Sequence, residues 1–222
     1  MRPFFENNVL QQQPFKPMII VVDTTKAGSA SNTFVLPIIK AASEVVKIYW
    51  GDGTNSTGVN GNNTHVYAAS GIYTVKIESR LFGGIYFNNL GDKAKITKIA
   101  NYGQGVSRLN IGSFYGCSSL LSIDIGNIVS NGAVASNQYR GTALTTVPLL
   151  NLSNCTNATN MFYGVTLTTQ SYSDFLINLA TLPFQSGVSF HGGNSKYNPA
   201  AAIARAYLIS NFGWTITDGG AA

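Results

Sequence analysis

The chain has 222 residues, 45% hydrophobic, 11% aromatic and only 10% charged, which is enough for one large or two small domains that fold without disulfides or metals. Fourteen basic residues against nine acidic ones give a formal charge of +5, yet the only local basic run is Lys93, Lys95 and Lys98 in "DKAKITK", far short of the Lys/Arg stripe that nucleic-acid binding needs. Cys117 and Cys155 are too few for a disulfide framework and too isolated for a zinc site, and no apolar run reaches the roughly eighteen residues of a membrane span.

Residues 1–17 read as an extended N-terminal arm. Pro3, Pro14 and Pro17 oppose helix, and Phe4, Phe5, Val9, Leu10 and Phe15 follow no clean period. Two readings stand: a disordered terminus, or a strap whose Phe4, Phe5 and Phe15 dock on other subunits because such rings are costly to leave in water. The arm lacks the apolar h-region and small-residue cleavage site of a secretion signal, so the expectation is a protein made and folded in the cytoplasm.

From Met18 the pattern changes to short β-branched and aromatic runs, "MIIVVDTT", "TFVLPII", "EVVKIYW" and "GIYTVKIES", separated by Gly, Ser, Asn and Asp. This pattern predicts an all-β sandwich over residues 18–82. In "YTVKI" the alternation sends Tyr73, Val75 and Ile77 to one face and Thr74 and Lys76 to the other. Gly51 and Gly53 permit the positive φ of a tight turn, and Asp52 between them can accept from nearby backbone N–H groups. His65 has no second His or nucleophile beside it, so it reads as a structural histidine. Trp50, Gly51, Asp52, Gly53, then His65 and Tyr67, then Gly71, Tyr73 and Val75 resemble the motifs of the PKD domain, with the aromatic directly before Gly51 instead of two positions earlier. The resemblance implies an immunoglobulin-like sandwich. The lysines of "DKAKITK" then read as a solvated edge strand, where they discourage unwanted pairing.

Beyond residue 90 a repeat emerges. "FYGCSSLLSIDIGN", "YRGTALTTVPLLNLSN" and "FYGVTLTTQSYSDFL" align on Gly116, Gly141 and Gly164 in steps of 25 and 23 residues, followed by Leu120, Leu144 and Leu167. Steps of that size predict stacked coils over 90–170, each with a short strand: Leu120, Ile123 and Ile125 in one, Leu144, Val147 and Leu149 in the next. A partial first coil, "ITKIANYGQGVSRLNIG", would add Ile96, Ile99, Leu109 and Ile111. Phe114, Gly116, Cys117, Leu120 and Ile123 resemble the BspA-like leucine-rich repeats of bacterial and viral surface proteins, and Ser153, Asn154, Thr156, Asn157, Met161 and Phe162 are similar to a related surface-protein repeat. The resemblance implies a short solenoid whose open ends must be capped.

Residues 171–222 turn helical. Tyr172, Phe175, Leu176 and Leu179 share one helical face, and Ile203, Ala204, Tyr207 and Leu208 do so more loosely. Asn198 is a natural N-cap before Pro199, and Gly213 a natural terminator before a short strand in "WTITDGG". This ending resembles the helical cap that closes such repeats in tailed-phage and bacterial surface proteins. The fold class expected is therefore mainly β: a PKD/Ig-like sandwich, a short BspA-like solenoid and a C-terminal helical cap.

No catalytic, cofactor or metal motif survives inspection. Asp23, Asp52, Asp92, Asp124, Asp174 and Asp218 are scattered, His65 and His191 lie in different segments, and "GVSFHGGNSKY" lacks the full phosphate-loop pattern. What remains is a surface that is polar but nearly uncharged. Aromatic residues recur near the coil corners. Tyr115, Tyr139 and Tyr163 are the candidates for contact with a glycan or a protein, whereas Phe114 and Phe162 are expected to fill the core. With the resemblance, the expectation is a non-enzymatic structural or adhesion protein of a tailed-phage virion, present as a homo-oligomer or in many copies, docked on other virion proteins through its arm and reaching a host surface glycan. Neither nucleic acid nor membrane insertion is expected. The alternative is a bacterial surface adhesin with the same modules.

Overall fold

The computed structural model describes residues 16–80, 83–103, 113–124, 134–147, 150, 152–182 and 185–222. Seven strands come first: β1 (Met18–Asp23), β2 (Thr33–Ile39), β3 (Val46–Tyr49), β4 (Asn55–Gly58), β5 (Gly61–Val66), β6 (Ile72–Glu78) and β7 (Gly84–Ile85). Alternation sets their inner faces: Met18, Ile20 and Val22 of β1 and Phe34, Leu36 and Ile38 of β2 are buried, and their sequence neighbours are more exposed. In β6, Val75 and Ile77 are buried with Tyr73 packed against the same core, as the alternation predicts.

A 3₁₀ turn at Lys93–Lys95 leads into β8 (Ile96–Asn101), and β9 (Ser122–Ile123) follows. Two sheets result, one ordered β4-β3-β6-β1-β8-β9 and the other β5-β2-β7. Strand β1 is antiparallel to β6, from Met18 opposite Ile77 to Asp23 opposite Ile72, and also to β8, with register shifts at Ile19/Ile20 and Val21/Val22. Strand β8 then pairs in parallel with β9, Ile99 beside Ile123. The sheet of the first eighty residues thus continues into the repeat region, and buried side chains from Met18 to Ile216 form one contiguous cluster.

The edge-strand reading of "DKAKITK" is overturned, because β8 lies inside the sheet and Lys95 is fully buried. Its ammonium sits in a cage of oxygens, donating to the carbonyls of Ser29, Ala30 and Thr33 at 3.0, 2.9 and 2.7 Å and to Ser29 Oγ at 3.0 Å. Asp92, 3.8 Å from that ammonium, accepts from Ser29 N–H and Oγ–H and from Val35 N–H at 2.6, 2.7 and 2.7 Å. Breaking such a buried pair by removing one partner costs about 3–5 kcal/mol, so the two residues bind the 29–35 segment firmly to the start of β8.

The repeat forms turns hydrogen-bonded in register. Phe87, Phe114, Tyr139 and Phe162 donate their N–H groups to Ser113, Gln138, Met161 and His191, each at 3.0 Å. Two residues further on, Asn89, Gly116 and Gly141 donate to Tyr115, Arg140 and Tyr163 at 2.8, 2.8 and 2.9 Å. The second position is left-handed in every turn, with φ of 63° at Asn89 and 78°, 66° and 74° at Gly116, Gly141 and Gly164, which is why glycine or asparagine stands there. The first turn therefore begins at Phe87, not at Ile96. Ile96 and Ile99 are buried in β8, and Leu109, Ile111, Ile125 and Leu149 lie outside the described residues. Leu120, Leu144 and Leu167 all point into the core. Of the strands expected at Leu120–Ile125 and Leu144–Leu149, the described residues hold the first as β9, whereas 142–147 are irregular.

The chain closes with α1 (Thr169–Leu179), β10 (Ser189–His191), α2 (Pro199–Phe212) and β11 (Thr215–Thr217). Strands β10 and β11 pair in parallel and continue the stack, Phe190 bridging to Ala158. Tyr172, Phe175, Leu176 and Leu179 of α1 are buried together. Asn198 caps α2 by accepting from Ala201 N–H at 3.0 Å, and Gly213 ends it at φ 65°. The buried face of α2 is Ala201, Ala204 and Leu208, however, while Ile203 is 78% and Tyr207 42% exposed. Small alanines let the helix pack closely on its neighbours, and the bulky Ile203 and Tyr207 turn outward.

Candidate functional site

The turns at Phe87, Phe114, Tyr139 and Phe162 each place an aromatic residue inward, the next residue outward and a left-handed residue third. The inward rings stack, Phe114 on Tyr139 at 6.1 Å and Tyr139 on Phe162 at 5.4 Å, with Phe190 edge-on to Phe162 at 6.3 Å. The outward residues are Tyr115, Arg140 and Tyr163, with His191 after Phe190. In-register turns bring them into one row. The Arg140 guanidinium carbon lies 4.9 Å from the centre of the Tyr115 ring and 4.9 Å from that of Tyr163, a double cation–π stack. Tyr163 meets the His191 ring at 5.2 Å on its other side.

The row presents donors. Arg140 spends Nη1 on Asn137 Oδ1 at a long 3.3 Å. His191 accepts from Gly193 N–H through Nδ1 at 3.0 Å, which leaves the proton of the neutral ring on Nε2. Burial lowers the His191 pKa, opposed in part by the charge of Asp218, so the imidazole favours its neutral form.

Tyr163 is 49% exposed and Tyr115 half-buried in this row. Tyr139 is not in it. Its side chain is fully buried, its hydroxyl 2.7 Å from that of Tyr102, and it has no surface to offer a ligand. In Tyr139-Arg140-Gly141 the tyrosine occupies the inward aromatic position, so the outward residue is Arg140, which sequence reasoning missed. Alignment on Gly141 places Arg140 directly before the glycine, like Tyr115 and Tyr163, and "FHG" does the same for His191. Phe4, Phe5 and Phe15 lie outside the described residues.

The other polar clusters are occupied in holding backbone. Asp52, between Gly51 and Gly53 at φ 91° and 88°, accepts from Thr54 N–H at 3.0 Å and Thr54 Oγ1–H at 2.6 Å and lies 2.8 Å from His65 Nε2. Burial pushes its carboxyl up, but the hydrogen bonds from Thr54 and His65 together with the imidazole charge outweigh this and hold it at about 2. His65 stacks flat on Trp50 at 4.7 Å and edge-on to Tyr67 at 4.5 Å. The Tyr67 hydroxyl donates to Trp50 O at 3.0 Å, and burial drives its pKa up. At the other end Asp218 accepts from Arg205 Nε–H at 2.8 Å and from the Tyr172 hydroxyl at 2.9 Å, tying α2 to α1. Burial also drives the Cys117 thiol pKa upward.

A cleft of about 330 Å³ lies between β2, the start of β5 and the Tyr86–Asp92 turn, lined by Pro37, Ile39, Asn62, Tyr86 and Leu90 among others. Among the described residues no group of three or more His, Cys, Asp or Glu could hold a metal ion, and no helix is long and apolar enough to cross a membrane. The chain matches no protein-family model, no curated protein and no solved structure.

Proposed function

We propose that the protein is a non-enzymatic structural or adhesion component of a tailed-phage virion, made in the host cytoplasm and displayed in many copies as capsid decoration or on the tail, where it contacts a host surface glycan. In this reading residues 18–82 are a PKD-like, immunoglobulin-like sandwich, 90–170 a short BspA-like leucine-rich solenoid, and 171–222 its cap. Phe4, Phe5 and Phe15 dock the arm on other virion proteins.

The observation that carries the reading is the row of Tyr115, Arg140, Tyr163 and His191. The Asp52–His65 and Asp218–Arg205 clusters serve the framework, whereas this row is presented outward by a rigid stack of turns, as a contact surface requires. A polar surface with few charges also suits close packing of copies on a particle. Density-gradient purification tests the proposal: the protein should band with particles, and a chain lacking residues 1–17 should be lost from them. Recovery in host-cell envelopes instead would replace this reading with that of a bacterial surface adhesin.

A further inference from the structure

The row carries information about its ligand. Sugars that bind tyrosine usually lie flat on a ring face, but one face of Tyr115 and one of Tyr163 are taken by Arg140. What the row offers is its edge: the two phenol hydroxyls, the Nε2–H of His191 and the in-plane donors of Arg140. A guanidinium has five N–H donors, and among the described residues only one of those of Arg140 is engaged, at 3.3 Å.

Arg205 has Asp218 at 2.8 Å, and Lys26, Lys76, Lys95 and Lys98 each have a carboxylate within 4.0 Å. No acidic side chain among the described residues stands that close to Arg140. Two rings flank the guanidinium at 4.9 Å and the residue is only partly exposed, so an anion reaching it meets a less screened charge than at an open surface. Lys93, whose stem lies beside Gly116 and whose ammonium donates to Asn89 O at 2.6 Å, adds a second cation at the Tyr115 end.

We propose that the row binds a carboxylate-bearing glycan, with a uronate-type carboxylate in the plane of Arg140 and neighbouring sugar hydroxyls on Tyr115, Tyr163 and His191. The inference rests on reading the row as a contact surface and names its ligand class. Planar, bidentate carboxylate recognition is what a guanidinium does better than an ammonium. A neutral glycan would leave the charge unused.

Titration calorimetry of the full chain with oligogalacturonate, its fully methyl-esterified form and tripolyphosphate is the test. The acid form should bind, the ester at least roughly tenfold more weakly, and tripolyphosphate more weakly than the acid. Arg140→Gln should lose roughly tenfold or more and Arg140→Lys several-fold, because lysine keeps the charge without the fork. Tyr163→Phe, which keeps the stack and removes one hydroxyl, should lose about two- to fivefold. Thermal unfolding of each variant checks folding, and if Arg140→Gln does not fold, Arg140→Lys and Tyr163→Phe decide. Equal binding of acid and ester, no binding of either, tighter binding of tripolyphosphate, or folded Arg140 variants that bind like the parent would each overturn the proposal. Gradient banding with virions is read separately: a protein that bands with particles yet ignores oligogalacturonate sinks this inference and leaves the virion assignment standing.

Discussion

Single polar side chains fix the corners from which the sheets are built. Asp52 is the clearest case, since Thr54 and His65 converge on one carboxylate whose pKa falls from the ordinary 3.8 to about 2. A carboxyl with a depressed folded pKa contributes stability that is fully present above its unfolded value and is lost as pH falls through its folded one. Asp52→Asn should therefore lower stability at neutral pH, on the order of 1 kcal/mol or less given its partial exposure, and flatten the pH dependence between about pH 4 and about pH 2; urea unfolding across that window measures both. This corner was legible, because Gly-Asp-Gly announces its geometry through the glycines' freedom at positive φ. Lys95 was not. Its cage of oxygens comes mainly from residues 29–33, more than sixty positions away, and no local pattern distinguishes a caged lysine from a solvated one.

Elements repeat this contrast. Helix α1 was readable because its four apolar residues share one stripe and all four are buried. Both caps of α2 were readable for the same local reason. Its buried face was not, since Ala-rich helices carry little amphipathic signal and the choice falls to tertiary fit: alanine permits close approach, while Ile203 and Tyr207 face outward. Truncation separates the two faces. Leu208→Ala should cost about 2–5 kcal/mol, and Ile203→Ala no more than about 0.5 kcal/mol, as read by denaturant midpoints at constant m-value. The repeat was legible through its glycines and its first turn was not, because Asn89 takes the left-handed position at φ 63° in place of glycine. The same one-position ambiguity hid Arg140, since a tyrosine precedes it where the flanking turns have phenylalanine.

At the scale of the molecule, a mainly β chain with several sheets was foreseeable from β-branched runs and turn residues. The continuity of those sheets was not. Strand β8 joins β1 on one side and β9 on the other, so that the first sheet extends to Ile123 and one buried cluster spans Met18 to Ile216. The inward neighbours of the surface row, Phe114, Tyr139, Phe162 and Phe190, therefore belong to the same core as the strands of the first sheet. Separate cores joined by a linker would instead leave the row free to move relative to the first sheet. The two tryptophans of the chain report on different ends of that buried cluster in sequence, Trp50 beside the Asp52 corner of the first sheet and Trp214 beside β11. Single-tryptophan variants, Trp50→Phe and Trp214→Phe, allow fluorescence from each end to be followed in turn through denaturant unfolding, with far-UV circular dichroism of each variant as its common reference. A shared core predicts that in each variant the remaining tryptophan changes at the same midpoint as the circular dichroism; one end melting ahead of the other would contradict it.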